Sequence, residues 1–418
     1  MNGWEKPIRN AMILEFLEGK QLDSYWESTA RINLWHGSVR SGKTVASIIR
    51  WLDFIAREAP DGPLLMTGKT MTTLKRNILV PMGEILGRTY LTYRKEIDAL
   101  GRTIYLEGAN DEGSEAKIRG ETLAGHYGDE VTLWPKSYFN MALSRMSLTG
   151  AKGFFTTNPD SPNHWLRSEY LNRIDELNMR AFHFQLEDNP HLDPMFVEDL
   201  RREYTGLWYR RFILGQWVMA EGAVYDMFDE ARHALSDAEI PYGDMIRYWI
   251  SCDYGTVNPT VFLLVGQAKN GAMYVIDEYR WDSAQEGRQK TDVEYVHDFQ
   301  EFAQGINYSK FFIPTDATSF ALQAVKSGVN HVTAPNMDVL DGIRNVSTLF
   351  SNDLLFLHKE RCRPTINEIE GYVWDSDAQE KGKDVPLKVD DHGPDALRYA
   401  IRNTRRYWYP YVTWGKAA

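Results

Sequence analysis

Cysteine is nearly missing from this sequence. Two thiols in 418 residues, Cys252 and Cys362, exclude a disulfide framework and a cysteine-rich zinc site. Long apolar runs are also missing. None approaches the roughly 18 residues that a membrane span needs, and Met1 to Asn10 lacks the apolar core of a signal peptide. Cytoplasm is therefore the expected compartment, with no membrane partner. Positive charge is in deficit: 47 Lys and Arg against 58 Asp and Glu leave a formal net charge of -11, which argues against indiscriminate binding to a polyanion. Carboxylates gathered at metal sites count toward the same total, so nucleic acid is not excluded. The remainder is that of a globular protein, 43% hydrophobic and 25% charged. Its length suits two domains of roughly 150–220 residues each.

Against these absences stands one strong motif. Gly37-Ser-Val-Arg40-Ser-Gly42-Lys43-Thr44 follows the apolar run Ile32 to His36 and leads into the amphipathic stretch Val45 to Phe54. Strand, glycine-rich loop and helix in that order make a phosphate site, because the glycines let backbone N–H groups face an anion and a helix N-terminus faces the same point. This Walker A reading gives Lys43 the β- and γ-phosphates of ATP and Thr44 the Mg²⁺, with Gly37, Arg40 and Gly42 shaping the loop. Such a site also needs an acid at a neighbouring strand end and a group to orient water. In Leu123-Ala-Gly-His-Tyr-Gly-Asp129-Glu130, we expect Asp129 to bind Mg²⁺ and Glu130 to act as general base. Gly125 and His126 make that strand unusually poor in large apolar groups. Further on, Phe154 to Asn158 is a strand ending in Thr156, Thr157 and Asn158 before Pro159. Its tip either couples the phosphate site to movement or is an ordinary Asn-Pro turn. Arg40, Arg119 and Arg145 are all candidates for a charge-neutralising arginine.

The pattern predicts an α/β architecture. Strands at Ile32 to His36, Pro63 to Thr67, Arg102 to Leu106, Leu123 to Tyr127 and Gly153 to Thr157 alternate with helical stretches, as in a parallel-rich sheet. Thr70 to Leu86 reads as a helix kinked or shortened at Pro81, and Gly108 to Gly120 as a loop. From Asn158 to Ile240 the strand rhythm lapses, and Asp193 and Pro194 open a helix running to Ile213. Alternation restarts with strands at Tyr248 to Tyr254, Val261 to Gly266 and Met273 to Arg280, a helix from Val293 to Phe302 and a strand from Phe311 to Asp316. That is the opening order of a ribonuclease-H-like domain. Ser376 to Val389 reads as a mobile loop. The expected division is 1–160 for the P-loop ATPase core, 161–240 for a subdomain and linker, and 241–418 for the ribonuclease-H-like domain.

In the second half Asp253 and Asp316 end strands, and Pro394 at a first helical position puts Asp395 in a first turn near the positive end of the helix dipole. If the fold gathers them, their hard oxygens suit two Mg²⁺ or Mn²⁺ ions and phosphodiester cleavage. Asp391 is an alternative or helper to Asp395. His392 either orients the site, ligates metal or lies on an exposed loop. Glu278 is a further candidate for this site, a surface acid on an edge strand being the favoured reading, and His183 and His358 read as structural. Arg201, Arg202, Arg210 and Arg211 among Tyr204, Trp208 and Tyr209, and Arg402, Arg405 and Arg406 before Tyr407, Trp408 and Tyr409, suit nucleic-acid contacts. The favoured reading is still a solvated helix face with the aromatics turned inward.

Taken in order, GSVRSGKT, HYGDE, TTNP, DYG after a strand, PTDAT and DHGPDALRYA resemble the large terminase subunit of tailed bacteriophages, from about Asn33 to Tyr399. EDNP at Glu187 to Pro190 and GQW at Gly215 to Trp217 are similar to that family's inter-domain segments. The resemblance implies an N-terminal P-loop ATPase domain and a C-terminal ribonuclease-H-like nuclease domain. It further implies an ATP-driven motor that moves double-stranded DNA into a procapsid and cuts concatemers. Partners would be the portal protein, a small terminase subunit and copies of the chain in a ring, in the host cytoplasm and transiently at the portal vertex. On matching positions, Lys43, Thr44, Asp129 and Glu130 would serve the ATPase, and Thr156 to Asn158 the coupling. Asp253, Asp316 and Asp395, with His392 nearby, would serve the nuclease. Competing expectations are a repair-type ATPase fused to a nuclease and a non-enzymatic assembly protein.

Overall fold

The computed structural model describes residues 17–90, 95–256 and 258–414. The opening segment Met1 to Asn10, read above for a signal peptide, lies outside the described residues. Two compact units divide the chain. The first holds the described residues up to Val197, Tyr209–Met219 and Lys381–Lys383, and the second holds Glu198–Trp208, Ala220–Glu380 and the described residues from Asp384 on.

The first unit is built on a seven-stranded sheet. Its strands are β1 (Ile32–Gly37), β2 (Leu64–Gly68), β3 (Glu96–Ala99), β4 (Arg102–Gly108), β5 (Gly125–Gly128), β6 (Lys152–Thr157) and β7 (Met179–Phe184), in the order β3-β4-β2-β5-β6-β1-β7. Only β3 and β4 pair antiparallel; every other pair is parallel. Parallel strands covered on both faces read as continuous apolar runs rather than alternation, as Leu64, Leu65 and Met66 do. The helix Lys43–Arg57 lies against the sheet because Ile48, Trp51, Leu52 and Ile55 recur at helical spacing and bury against Trp35, Tyr127 and Phe154. Each such large side chain contributes about 1.5–3 kcal/mol on burial.

The glycines of β5 have a packing cause. A Cβ on Gly125 would come within 2.6 Å of the Phe54 ring, and one on Gly128 within 2.4 Å of Trp134. Between them His126 is fully buried, stacked on Trp134 and bonded from Nε2 to Thr67 Oγ1 at 2.9 Å. Burial pushes its imidazole down to about 3, so it stays neutral. The strand is thin because its neighbours are thick, and its pairing with β2 and β6 extends to Gly128, so Asp129 follows at the strand's end.

Two helix expectations need correction. The stretch after β2 is continuous from Met71 to Leu86 but winds as a π-helix over Lys75–Leu79. Pro81 has no N–H, and the Val80 N–H bonds back to the Lys75 carbonyl, so the ladder widens at that point. The second stretch is broken: Pro194–Glu203 is followed by a short turn at Gly206–Trp208 and a π segment at Tyr209–Ile213. Gly206, at φ 50, marks the break. Within 158–240, where the strand rhythm was read as lapsing, lie β7 and the two-residue β8 (Ala234–Leu235).

The second unit carries β8 together with β9 (Met245–Asp253), β10 (Thr260–Ala268), β11 (Met273–Trp281), β12 (Phe311–Phe312), β13 (Val332–Thr333) and β14 (Leu355–His358). These make a second seven-stranded sheet in the order β13-β12-β9-β10-β11-β14-β8. The first three long strands form an antiparallel meander and β12 returns parallel to β9, the ribonuclease-H-like arrangement. The expected strand from Phe311 to Asp316 stops at Phe312, and Asp316 lies beyond Pro314 in an exposed turn. The helix His392–Asn403 starts two residues before Pro394 and buries Gly393 through Ile401. Residues 376–389 are partly folded rather than a loop throughout: Ser376–Glu380 is helical, and Trp374 bridges Pro386.

Candidate active sites

The loop between β1 and the helix Lys43–Arg57 holds unusual backbone. Gly37 (φ 140), Arg40 (φ 57) and Gly42 (φ 84) all have positive φ, and a Cβ on Gly37 would strike the Phe184 carbonyl at 1.8 Å. The loop lines a cleft of about 510 Å³, and Lys43, Thr44, Asp129, Glu130 and Thr156 to Asn158 all face the same cleft. Lys43 is buried, and its Nζ donates to the Ser38 carbonyl and to Asn158 Oδ1, both at 2.8 Å. Both acceptors are neutral, so an anionic phosphate oxygen would be the stronger partner. Burial pulls the ammonium down to about 8, while Asp129 and Glu130 oppose the shift.

The tip of β6 divides its residues among three parts of the cleft. Thr156 Oγ1 donates to Asp129 Oδ1 at 2.6 Å, Thr157 Oγ1 meets Thr132 Oγ1 at 2.7 Å, and Asn158 holds Lys43. An Asn-Pro turn alone needs none of these contacts. Asp129 is further fixed by Asn77 Nδ2 at 3.2 Å and by the Trp134 indole N–H on its carbonyl at 3.0 Å. Burial raises its carboxyl above the usual range. Glu130 sits in the left-handed region at φ 55, a conformation costing a non-glycine residue about 1–2 kcal/mol. Burial and the Asp129 charge push it up to about 7, where a general base is effective. Of the arginine candidates, Arg40 lines the cleft. Arg119 is tied to Glu115 at 2.5 Å, and Arg145 donates to the Arg119 carbonyl at 2.7 Å, so neither lines it.

The second site lies at the end of β9. Asp253 Oδ2 accepts from His392 Nδ1 at 2.9 Å. Burial raises the Asp253 carboxyl, and so does repulsion from Asp395 and Asp391. Burial would lower His392, but the hydrogen bond and charge of Asp253 outweigh it and hold the imidazole raised. His392 is thus on a helix and half-buried, not on an exposed loop. Asp395 Oδ1 accepts from Arg398 at 2.7 Å, and Lys388 Nζ bridges Asp391 Oδ2 at 2.8 Å and Asp395 Oδ2 at 3.1 Å. Asp316 is exposed; burial raises the Tyr399 hydroxyl first, and the charges of Asp395, Asp253 and Asp316 raise it further. Hard carboxylate oxygens on neighbouring segments are the kind of donor that divalent cations take. Their ligand atoms do not converge to within 4.8 Å: among the described residues the one such triplet is His297, Asp298 and Glu301. That triplet sits on the helix Asp292–Phe302, with Asp298 already bound by Lys290 at 2.5 Å.

Glu278 corrects an expectation. Its side chain is 1% exposed, paired with Arg280 at 2.7 Å and capping the Thr365 N–H at 3.1 Å. Arg280 also holds Glu368 at 2.6 Å, and Glu368 accepts from the Gly393 N–H at 2.6 Å. A chain of charges thus runs from β11 to the first turn of the helix bearing Asp395. A Cβ on Gly393 would strike Thr365 Oγ1 at 2.2 Å, so this helix start admits only glycine without rearrangement.

The large terminase of a thermophilic bacteriophage superposes with a TM-score of 0.83 at 37% sequence identity, over 91% of this chain and 97% of that one. The chain belongs to the large terminase family. The same thermophilic-phage protein has been solved with ADP (TM-score 0.83, 36% identity, 92% of this chain and 98% of that one) and with ATP-γ-S (TM-score 0.82, 36% identity, with the same coverage). Residues 35–232 match the family model for the N-terminal part of the T4likevirus-type terminase large subunit. The large terminase subunit of Escherichia phage T5 is 23% identical over 271 residues, 61% of this chain and 59% of the T5 protein's length.

For this terminase, several site residues escaped the sequence reading. Asn77 and Arg76 reach the first cleft from the π-wound segment. Asn189, read as an inter-domain residue, bonds the Arg40 carbonyl from Nδ2 at 2.7 Å. Lys388, Arg398, Glu368 and Tyr399 complete the second site. Only Lys388, three residues before Asp391 and near the acidic pair Asp390-Asp391, left a visible signal. The arginine clusters are largely engaged internally: Arg211 with Asp160 at 3.2 Å, Arg402 with Asp341 at 2.7 Å and Arg405 with Glu203 at 2.6 Å, while Trp208 and Trp408 are buried.

Proposed function

We propose that this terminase is an ATP-hydrolysing, DNA-cutting subunit of a viral packaging motor. Gly37, Arg40 and Gly42 shape the loop around ATP, Lys43 holds its β- and γ-phosphates, and Thr44 and Asp129 hold the accompanying Mg²⁺. Glu130 takes the proton of the attacking water as the γ-phosphoryl is transferred to it, leaving ADP and phosphate. Thr156 and Asn158 tie Asp129 and Lys43 to one strand end, so a change at the phosphates pulls on β6. That paired grip carries the coupling reading. The 36% identical relative solved with ADP and ATP-γ-S supports the nucleotide.

In the second domain, Asp253, Asp316 and Asp395, assisted by Asp391, would hold two Mg²⁺ or Mn²⁺ ions. Bound there, such ions supply an activated water and charge neutralisation for the leaving oxygen of a phosphodiester. His392 fixes the Asp253 carboxylate, and Arg398 fixes that of Asp395. The substrate is double-stranded DNA, and the partners are the portal protein, a small terminase subunit and further copies of this chain in a ring, in the host cytoplasm and at the portal vertex.

The test compares ATP hydrolysis and Mn²⁺-dependent plasmid cleavage for wild type, Lys43→Ala and Asp253→Ala. Lys43→Ala should lose hydrolysis and keep cleavage, and Asp253→Ala should do the reverse. Cleavage surviving Asp253→Ala removes the nuclease assignment. Procapsid-dependent protection of DNA from added nuclease separates a packaging motor from a repair enzyme.

A further inference from the structure

The helix after β2 is wound abnormally just where it borders the nucleotide cleft. Its π segment Lys75–Leu79 adds a residue to one turn, and Arg76 and Asn77 from that segment line the cleft wall along with the phosphate loop's own Arg40. π turns concentrate at functional positions because the cost of the poorer ladder has to be offset elsewhere. The side chains form a relay. Arg76 Nε donates to Asn77 Oδ1 at 3.2 Å, Asn77 Nδ2 donates to Asp129 Oδ2 at 3.2 Å, and Thr156 donates to the other Asp129 oxygen at 2.6 Å. The guanidinium thereby sets the orientation of the amide, and the amide sets that of the carboxylate. Arg76 is exposed to the cleft, and its charge acts on Glu130. Among the described residues no carboxylate forms an ion pair with it.

We propose that Arg76 is the arginine that neutralises charge on the γ-phosphoryl group during hydrolysis, and that Asn77 is a positioning residue transmitting its engagement to Asp129. This rests on the ATPase reading above. The bond from the γ-phosphorus to its bridging oxygen breaks while one forms to water. The charge that spreads over the equatorial oxygens is what a guanidinium fork matches. When Arg76 turns to the phosphate, Asn77 loses its anchor, Asp129 loses a fixed donor, and Thr156 on β6 feels the change.

The experiment uses the full chain and measures ATP turnover together with binding of ADP and of ADP with aluminium fluoride, a mimic of the transferring phosphoryl group. Arg76→Ala should lower kcat by about 10³-fold, within the range for a lost arginine finger. KM and ADP binding should move by less than about threefold, because that interaction is made only in the transition state. The variant should also lose the tightening that aluminium fluoride brings. Arg76→Lys should recover part of the rate, since it restores the charge without the fork. Asn77→Ala should slow turnover, and Arg76→Ala with Asn77→Ala should be no slower than Arg76→Ala alone, as expected of residues acting as a unit.

Turnover of Arg76→Ala within about threefold of wild type would overturn the proposal, as would equal loss of ADP and ADP–aluminium fluoride binding, which marks a merely structural role. Absent wild-type hydrolysis, with nucleotide binding insensitive to Lys43→Ala, would instead sink the ATPase reading and the proposal with it.

Discussion

Two substitutions that should both abolish DNA cutting are expected to differ sharply in their effect on folding. Asp395 and Arg398 form an ion pair at 2.7 Å with side chains 9% and 2% exposed. Arg398 cannot swing away to water, because Gly342 packs so tightly on its stem that a Cβ there would lie 2.2 Å from Cγ. Asp395→Ala therefore strands a buried guanidinium, and breaking such a pair from one side costs about 3–5 kcal/mol. The second partner of Asp395, Lys388, is 62% exposed and adds little. Asp253 is the opposite case. Its bonded partner is the neighbouring His392, and its charge is resisted by burial and by Asp395 and Asp391. Removing that carboxylate relieves repulsion and leaves an imidazole that can stay neutral, so Asp253→Ala should be neutral or slightly stabilising.

In thermal unfolding followed by circular dichroism or calorimetry, Asp395→Ala should lower the midpoint of its domain by roughly 10 °C, from about 2–4 °C per kcal/mol at this domain size. Asp253→Ala should leave it within about 2 °C. Introducing Arg398→Met first should make Asp395→Ala far milder, a coupling energy of about 3 kcal/mol at this contact. Equal midpoints for the two alanine variants, or no coupling in the cycle, would refute the reasoning.

Two further outcomes follow from the same geometry. Lys388 lies where a cation would sit between Asp391 and Asp395. Lys388→Met should therefore tighten Mn²⁺ binding by about fivefold in isothermal titration, the equivalent of the 1 kcal/mol or so that a largely exposed pair is worth at most; unchanged affinity would remove the competition. His126 carries a pH signature of definite sign. Its folded value of about 3 lies below the ordinary 6.5, so its share of stability is complete above pH 6.5 and is lost as pH falls toward 3. The limiting slope is about 1.4 kcal/mol per pH unit. Because Glu130, pushed up to about 7, contributes with the opposite sign, the measurement is the difference in slope between wild type and His126→Gln from pH 6.5 to 4.5. Parallel curves would contradict it.

The parts of this molecule that were legible in the sequence are those whose chemistry is local. Gly37 to Thr44 announces itself because a phosphate loop needs glycines at fixed offsets between a strand and a helix. The β9, β10 and β11 runs announce themselves because long apolar segments separated by short turns have few alternatives. The strand expected at Leu123 to Tyr127 exists but runs from Gly125 to Gly128, and what makes it thin, the rings of Phe54, Trp51 and Trp134, comes from other elements. Misread residues were those whose state is set by distant partners. Glu278 looks like any acid near a strand end, and its burial depends on Arg280 and Thr365, the latter 87 residues away. Pro81 did mark a departure in its helix, but proline chemistry permits a kink, a break or a π turn. Only the packing of Ile78 and Leu79 on one side and the cleft on the other selects the last. The single helix expected from Pro194 to Ile213 failed at Gly206, where a left-handed residue overrode a favourable periodic pattern.

The grip of Glu368 on the Gly393 amide has a consequence for how DNA can be seated. Exposed amides at a helix start are a ready anchor for a strand's phosphates. Here the protein has already filled that anchor with a carboxylate of its own, backed by Arg280. An incoming phosphodiester would meet negative charge at this point, not a welcoming dipole. Under the nuclease reading proposed above, cations on the aspartates would therefore have to hold the backbone, because the Gly393 amide is already taken.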